Sequence, residues 1–285
     1  MVVEKAYAKL NLSLNVLEKR SDGFHNLESI MVPVTDLYDI LEFSKRDDNN
    51  IYIEGMDIKD NIVEKAAILF QEKYHTGGVN IKINKQIPIA AGLAGGSADA
   101  SATLRGLNRL FGLNLPLKEL EELALLLGSD TVFCLYNKAA ICKGRGEILE
   151  FIDFDFSLDV WILKPSFGLL TKDVFSKLVI DKTNIKTNEI LNSLKDNDLI
   201  KLDELISNDL YIPATLVNPI IKEIVDVLNN NMIKAHMSGS GSTIYFIDNL
   251  VTNYNELLQD LLKAHKIEYV YLGKHLINCL VNDCK

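Results

Sequence analysis

Residues 88–100 read "PIAAGLAGGSADA", a tract of small residues that includes Gly92, Gly95 and Gly96. The run before it, "VNIKIN" (79–84), alternates apolar and polar residues as a half-buried strand does. The run after it spaces Ala100, Leu104, Leu107 and Phe111 along one helical stripe, with Gly112 placed to close the helix. The tract therefore joins a strand to a helix N-terminus, where amides lack carbonyl partners and partial positive charge collects. Glycine lets an anion reach those amides without meeting a Cβ, so the tract suits a phosphate group; a merely tight connection is the alternative. It is not a Walker A loop, because no Gly-Lys-Ser/Thr follows, and not a dinucleotide fingerprint, because G-x-G-x-x-G is missing.

Outward from the tract, "AKLNLSLNV" (8–16) alternates strictly, which puts Lys9 and Asn11 on the same face of a strand. Asp22-Gly23 marks a hairpin, and "SIMVPV" and "LYDILEF" return as further strands of a mixed sheet. A helix is predicted over 61–74, capped at Asp60-Asn61, and another over "LKELEELALLLG", ending at Gly128 just before Ser129 and Asp130. From about residue 155 the pattern repeats: a strand "LDVWILKP", two or three amphipathic helices, and a Ser/Gly tract "MSGSGST" (237–243) between two strand-like runs. Asn218 as cap and Pro219 at the first helical position start a helix over 218–230. Strands and helices alternate in both halves, so the expected class is α+β, with two domains joined near 153–157.

Composition narrows the function. A chain of 285 residues, 48% hydrophobic, can bury one large or two medium cores. The net charge of −9 and the lack of a Lys/Arg stripe argue against a nucleic-acid partner, and a small anionic ligand would need local amides and a few placed cations. The N-terminus has no basic stretch followed by an apolar run, and "LALLL" (123–127) is too short to span a bilayer, so the expected setting is cytoplasmic, without membrane. Cys134, Cys142, Cys279 and Cys284 form no C-x-x-C pair and read as reduced, mostly buried thiols.

The tract resembles the phosphate loop of the GHMP kinases, and within them the branch that acts on 4-diphosphocytidyl-2-C-methyl-D-erythritol. "AKLNLSLNV", "KRSDGFHNL", "GLNRLFGLNL", "LGSDTVF", "KGRGE" and "HMSGSGSTIYF" resemble that branch in the same order over essentially the whole chain. The resemblance implies a two-domain fold, ribosomal protein S5-like over 1–154 and ferredoxin-like over 155–285, with ATP and substrate in the cleft between. It implies transfer of the ATP γ-phosphoryl group to the 2-hydroxyl of the cytidylylated methylerythritol, a step of non-mevalonate isoprenoid synthesis. Another small-molecule kinase of the superfamily, or a nucleotide-binding homologue without turnover, stays open as an alternative. ATP and Mg²⁺ are the implied cofactors, with Ser97 as one contact for a metal whose ligands are otherwise unassigned; a monomer or homodimer is expected.

By the same resemblance Lys9 and Asp130 are the catalytic pair, with Asp130 accepting the proton of the attacking hydroxyl. ATP falls to Asn61, Pro88, Ile89, Ala90, Ala91, Gly92, Leu93, Ala94, Gly95, Gly96, Ser97 and Ala98. The acceptor falls to Asn11, Phe24, His25, Phe175, Ser238, Gly239, Ser240 and Gly241, with Phe24 stacking on the base, His25 reading its edge and Phe175 as the opposite jaw. Three departures stand out: Phe24 where Tyr is more usual, Thr131-Val132 where Val-Pro follows the aspartate, and Ser242 where Pro is usual, which predicts a less rigid loop.

Overall fold

The computed structural model describes residues 1–55, 61–181, 184–248 and 254–281. The alternating run at 8–16 is the middle of a longer strand, β1 (Val2–Lys19), and both of its faces are buried from Ala6 to Val16. The Asp22-Gly23 turn leads into β2 (His25–Lys45), one 21-residue strand in place of the two expected. β1 and β2 pair antiparallel along their length, with three register shifts that let so long a ribbon bend.

β3 (Ile51–Glu54) precedes α1 (Ile62–Tyr74), whose cap is Asn61: its side chain accepts the Val63 amide at 3.0 Å. Asp60, the other half of the expected cap, lies outside the described residues. β4 (Val79–Asn84) matches its predicted span, and after the glycine tract comes α2 (Gly95–Phe111), closed by a left-handed Gly112. The stripe expected on α2 understates its burial, because every residue from Ala98 to Asn108 is buried. α2 is a central helix; Phe43 of β2 packs where a side chain at Gly106 would stand, since a Cβ there would come within 2.4 Å of the ring.

α3 (Leu117–Leu127) ends at Gly128 as predicted, and the chain turns at once into α4 (Ser129–Tyr136), a two-turn helix not foreseen. β5 (Ala140–Gly144) and β6 (Ile148–Phe151) form a hairpin on β2, and β7 (Ser157–Pro165) covers the predicted "LDVWILKP" strand. Then come α5 (Thr171–Ser176), α6 (Thr187–Lys195), α7 (Leu199–Leu205), the two-residue β8 (Ser207–Asn208), α8 (Tyr211–Val217) and α9 (Ile220–Asn230). These are five helices where two or three were expected, because helices of six to nine residues are too short to show a period. Asn218 accepts the Ile220 amide at 3.1 Å and Pro219 has helical angles, as the start signal required. β9 (His236–Met237) and β10 (Ile244–Ile247) bracket the Ser/Gly tract, followed by α10 (Tyr254–Ala264) and β11 (Tyr269–Asn278).

The strands join in one mixed sheet whose path runs β3-β4-β2-β11-β7-β10-β9, with β1 and β5 attached to β2. Two cores lie against it. On β7, Leu158, Val160 and Ile162 face the first core while Trp161 and Leu163 face the second; on β10, Tyr245 and Ile247 face the first, Ile244 and Phe246 the second. This explains why both strands read as continuous apolar runs. β1 passes from one core to the other, with Ala6, Ala8, Leu10 and Leu12 in the first and Leu14 and Val16 in the second. Cys134, Cys142 and Cys279 are free and buried, whereas Cys284 lies outside the described residues. Among the described residues no helix is long and apolar enough to cross a membrane.

Candidate active site

The glycine tract takes its shape from three left-handed residues, Ala90, Gly92 and Ala94, at φ of 51°, 76° and 56°. Its carbonyls face the protein. Ala91 O accepts the Thr243 amide at 3.1 Å, Leu93 O the Lys9 amide at 3.1 Å, and Gly92 O both Ser238 Oγ at 3.1 Å and Lys9 Nζ at 3.2 Å. With the carbonyls so engaged, the first turn of α2 presents amides that have no carbonyl one turn before them, on the side where a Cβ at Gly96 would come no nearer than 3.7 Å to any atom, the Ile62 methyl.

Lys9 and Asn11 project together from β1, as the alternation required, but the polar face of the strand is buried: Lys9 is 3% exposed. Lys9 Nζ donates to Asn11 Oδ1 at 2.6 Å and lies 3.5 Å from Asp130 Oδ2. Asn11 is itself held, its amide donating to Ser29 Oγ at 2.8 Å and its carbonyl accepting the Tyr245 hydroxyl at 2.8 Å. Asp130 stands in the first turn of α4, where a carboxylate meets the positive end of the helix. The Ser/Gly tract closes over this pair. Gly239 is left-handed, and a Cβ there would lie 3.2 Å from Lys9 Nζ and 3.1 Å from Gly92 O. Ser242 Oγ donates to Phe167 O at 2.7 Å and Ser240 Oγ meets Thr171 Oγ1 at 3.0 Å, so the tract is anchored despite the absence of the usual Pro.

These groups line one cavity of about 940 Å³. It gathers Lys9, Asn11, Phe24, His25, Asn61, Asp130, Phe175, Gly239, Ser240 and Gly241 with Pro88, Ile89, Ala90, Ala91, Gly92, Ala94, Gly95, Gly96 and Ser97. Three expected contacts do not reach it. Leu93 and Ala98 turn into the first core, and Ser238 is fully buried with its hydroxyl spent on Gly92 O. The side chains at those three positions serve the loops' packing rather than a ligand.

At the far end of the cavity, the rings of His25 and Phe175 stack with centroids 4.9 Å apart, and the Arg145 guanidinium covers Phe24 at 4.7 Å. Phe175 therefore packs on His25 rather than standing opposite Phe24. Burial and the nearby Lys19 hold the His25 pKa below its usual value, which keeps the imidazole neutral at pH 7.

The cavity also holds Lys85, Asp99, Arg145 and Lys172, none of which the sequence reading singled out. Lys85 bridges two buried carboxylates, Asp39 and Asp99, beneath the glycine tract. Burial pushes the Asp99 carboxyl up to about 7, with Lys85 opposing and Asp39 adding to the rise. Arg145 sits in the quoted "KGRGE" turn, so its motif was visible though its role was not. A lone lysine, in a loop at 85 or in the first turn of the six-residue α5 at 172, carries no pattern.

Residues 61–138 match the model of the GHMP kinases N terminal domain. A protein of Staphylococcus aureus bovine strain RF122, provisionally named 4-diphosphocytidyl-2-C-methyl-D-erythritol kinase, is 44% identical over 257 residues, covering 86% of this chain and 89% of its own. The solved structure of a 4-(cytidine 5'-diphospho)-2C-methyl-D-erythritol kinase superposes with a TM-score of 0.80 at 26% identity, over 96% of this chain and 98% of that one. A homoserine kinase from Cytophaga hutchinsonii shares the fold, with a TM-score of 0.72 at 17% identity over 98% and 96% of the two chains.

Proposed function

This chain belongs to the GHMP kinases, in the 4-diphosphocytidyl-2-C-methyl-D-erythritol kinase family, and from that membership we infer that it transfers the γ-phosphoryl group of ATP to the 2-hydroxyl of 4-diphosphocytidyl-2-C-methyl-D-erythritol. It is an ATP-dependent small-molecule kinase of non-mevalonate isoprenoid synthesis. The observation that carries the site reading is the meeting of Lys9 and Asp130, 3.5 Å apart, inside a cavity bounded by the glycine tract at one end and the aromatic pair at the other.

In this reading the amides at the start of α2 bind the ATP phosphates, and Asn61, Pro88 and Ile89 border the base. His25 and Phe175 part to admit the cytosine, which exchanges a ring stack for a base stack, while Arg145 keeps Phe24 in place. The acceptor hydroxyl sits between Asp130 and the γ-phosphate. Asp130 orients it and takes its proton as the new O–P bond forms and the bond to the ADP oxygen breaks. Lys9 holds the carboxylate in position and faces the charge on the transferring group, and its bond to Gly92 O keeps it in register with the phosphate loop. The departures at Thr131 and Val132 fit this role, since both side chains are buried behind Asp130 and the Thr131 carbonyl accepts Ser101 Oγ at 2.7 Å.

A magnesium ion would neutralise the phosphates. The available donors are oxygens: Ser97 at the start of α2 and Asp130 at the start of α4 both line the cavity, which fits a hard cation bound chiefly by phosphate and water. We place the domain division at 154/155, between β6 and β7, with the first core also drawing on Leu158, Val160, Ile162, Tyr245 and Ile247 from beyond it, and the net charge of −9 supports a cytoplasmic enzyme acting without nucleic acid.

The test is ATP consumption by the purified protein with Mg²⁺ and the cytidylyl substrate, beside mevalonate, phosphomevalonate, homoserine and galactose. Turnover with the cytidylyl compound alone, lost in Asp130→Ala, is expected. Turnover with another acceptor, or none despite ATP binding, rejects the reading.

A further inference from the structure

One guanidinium joins the three elements that carry the reacting groups. Arg105 lies in the buried middle of α2, 8% exposed, and all three of its guanidinium nitrogens donate. Its Nε donates to Glu4 Oε2 at 3.1 Å and one Nη to the Lys5 carbonyl at 2.9 Å, both on β1. The other Nη donates to the Cys134 carbonyl at 2.8 Å and reaches the Leu135 carbonyl at 3.4 Å, both in the last turn of α4. Glu4 is held from a second side by Arg109 Nη1 at 2.6 Å, one turn further along α2.

The consequence lies at the other end of α4. The helix has eight residues, so it is about 12 Å long, and Asp130 in its first turn is one turn from the carbonyls that Arg105 holds. Those carbonyls end the helix without amide partners, and a cation there also meets the negative end of the dipole. β1, gripped at Glu4 and Lys5, carries Lys9, and α2 begins at the phosphate loop. Buried ion pairs contribute little net stability, which leaves geometry as the effect of such a costly group.

Resting on the kinase reading above, we propose that Arg105 is a positioning residue: by tying the last turn of α4 and the start of β1 to the middle of α2, it sets the separation of Asp130, Lys9 and the phosphate loop. Lysine keeps the charge but cannot reach Glu4, the Lys5 carbonyl and the two α4 carbonyls together.

The experiment compares Arg105→Lys with Leu228→Ala, a control destabilised in the second core, away from β1, α2 and α4. Hydrogen exchange of the 129–136 amides and steady-state kinetics are measured on each full chain. The expected result is faster exchange at 129–136 in Arg105→Lys than in the control. Its kcat falls about 10- to 100-fold while KM for ATP stays within about threefold, the loss set by a misplacement on the order of 1 Å. Arg105→Lys combined with Asp130→Ala is then slower than Asp130→Ala by less than the factor Arg105→Lys costs by itself, since part of that loss acts through the Asp130 carboxylate. Unchanged exchange at 129–136, a kcat equal to the control's, or losses that multiply in the double variant would overturn the proposal. If Arg105→Lys fails to fold, Glu4→Gln, which weakens the grip on β1, takes the same kinetics with exchange read over 2–9 in place of 129–136, faster exchange and a lower kcat being expected and unchanged values overturning the proposal. A wild-type chain inactive with every acceptor defeats the kinase reading, and the exchange result then decides the tie by itself.

Discussion

Lys9→Met separates catalysis from stability. The Lys9 ammonium is buried and touches Asn11 Oδ1 at 2.6 Å, Gly92 O at 3.2 Å and, at 3.5 Å, an Asp130 carboxylate whose side chain is 32% exposed. Two unit charges at that distance attract by about 5 kcal/mol at an effective dielectric of about 20, and solvent at Asp130 screens roughly half of it. Burying the ammonium costs several kcal/mol, so the attraction is largely offset in the folded state. Methionine keeps the apolar stem and leaves Asn11 Oδ1 without this donor, at about 1 to 3 kcal/mol, while Gly92 O keeps the Ser238 hydroxyl. The net change in folding stability should therefore stay within about 2 kcal/mol, a Tm shift of roughly 5 °C for a chain this size. The reaction has no such offset, because the preorganised cation meets charge on the transferring phosphoryl group. Its loss should cost about 3 to 4 kcal/mol, or roughly 10²- to 10³-fold in kcat. Thermal unfolding by circular dichroism and steady-state rates at saturating MgATP and acceptor read the two quantities separately. A kcat within tenfold of wild type would refute the catalytic role, and a variant unfolded at 25 °C would refute the offset.

Gly92→Ala forces a Cβ to within 2.4 Å of the Ser238 carbonyl and 2.9 Å of the Gly241 carbonyl at a φ of +76°, so the two glycine-rich loops must part; calorimetry with a non-hydrolysable ATP analogue should show affinity reduced at least about tenfold, and unchanged affinity contradicts the loop reading. Phe175→Ala removes one face of the aromatic jaw, so KM for the cytidylyl substrate should rise by roughly 5- to 100-fold while KM for ATP does not, and an equal rise in both would point to general damage. Asp99 has a carboxyl pushed by burial to about 7 from its usual 3.8, so the native state holds a proton that the unfolded chain releases, and stability falls as pH climbs from 3.8 toward 7. Asp99→Asn should flatten that fall in Tm measured between pH 5 and 8 and be at least as stable as wild type above pH 7; parallel curves would show that the ionisation of Asp99 is not what sets the slope.

Local chemistry made much of this protein legible in its sequence. The period of two along 8–16 put Lys9 and Asn11 on one side whatever packs around them, and the Asn61 cap, the Gly112 stop and the strand-glycine-helix order each rest on neighbouring residues alone. The same local reasoning could not see that the polar face of β1 is as buried as its apolar face, because alternation does not reveal what covers each side. Nor could it find α4 or resolve the five helices between Thr171 and Asn230, which are mostly shorter than the window in which a period appears. Leu93, Ala98 and Ser238 belonged to the right motifs but turn away from the cavity, since a loop's sequence does not say which side chains face inward. The strand-glycine-helix order and the shared face of Lys9 and Asn11 followed from sequence because each is set by a few adjacent residues, whereas the kinase family followed from motifs spread in order along the whole chain. That Lys9 meets Asp130, that His25 stacks on Phe175 and that Arg105 spans β1 and α4 was decided only by tertiary packing, because contacts between distant residues depend on how whole elements fit together.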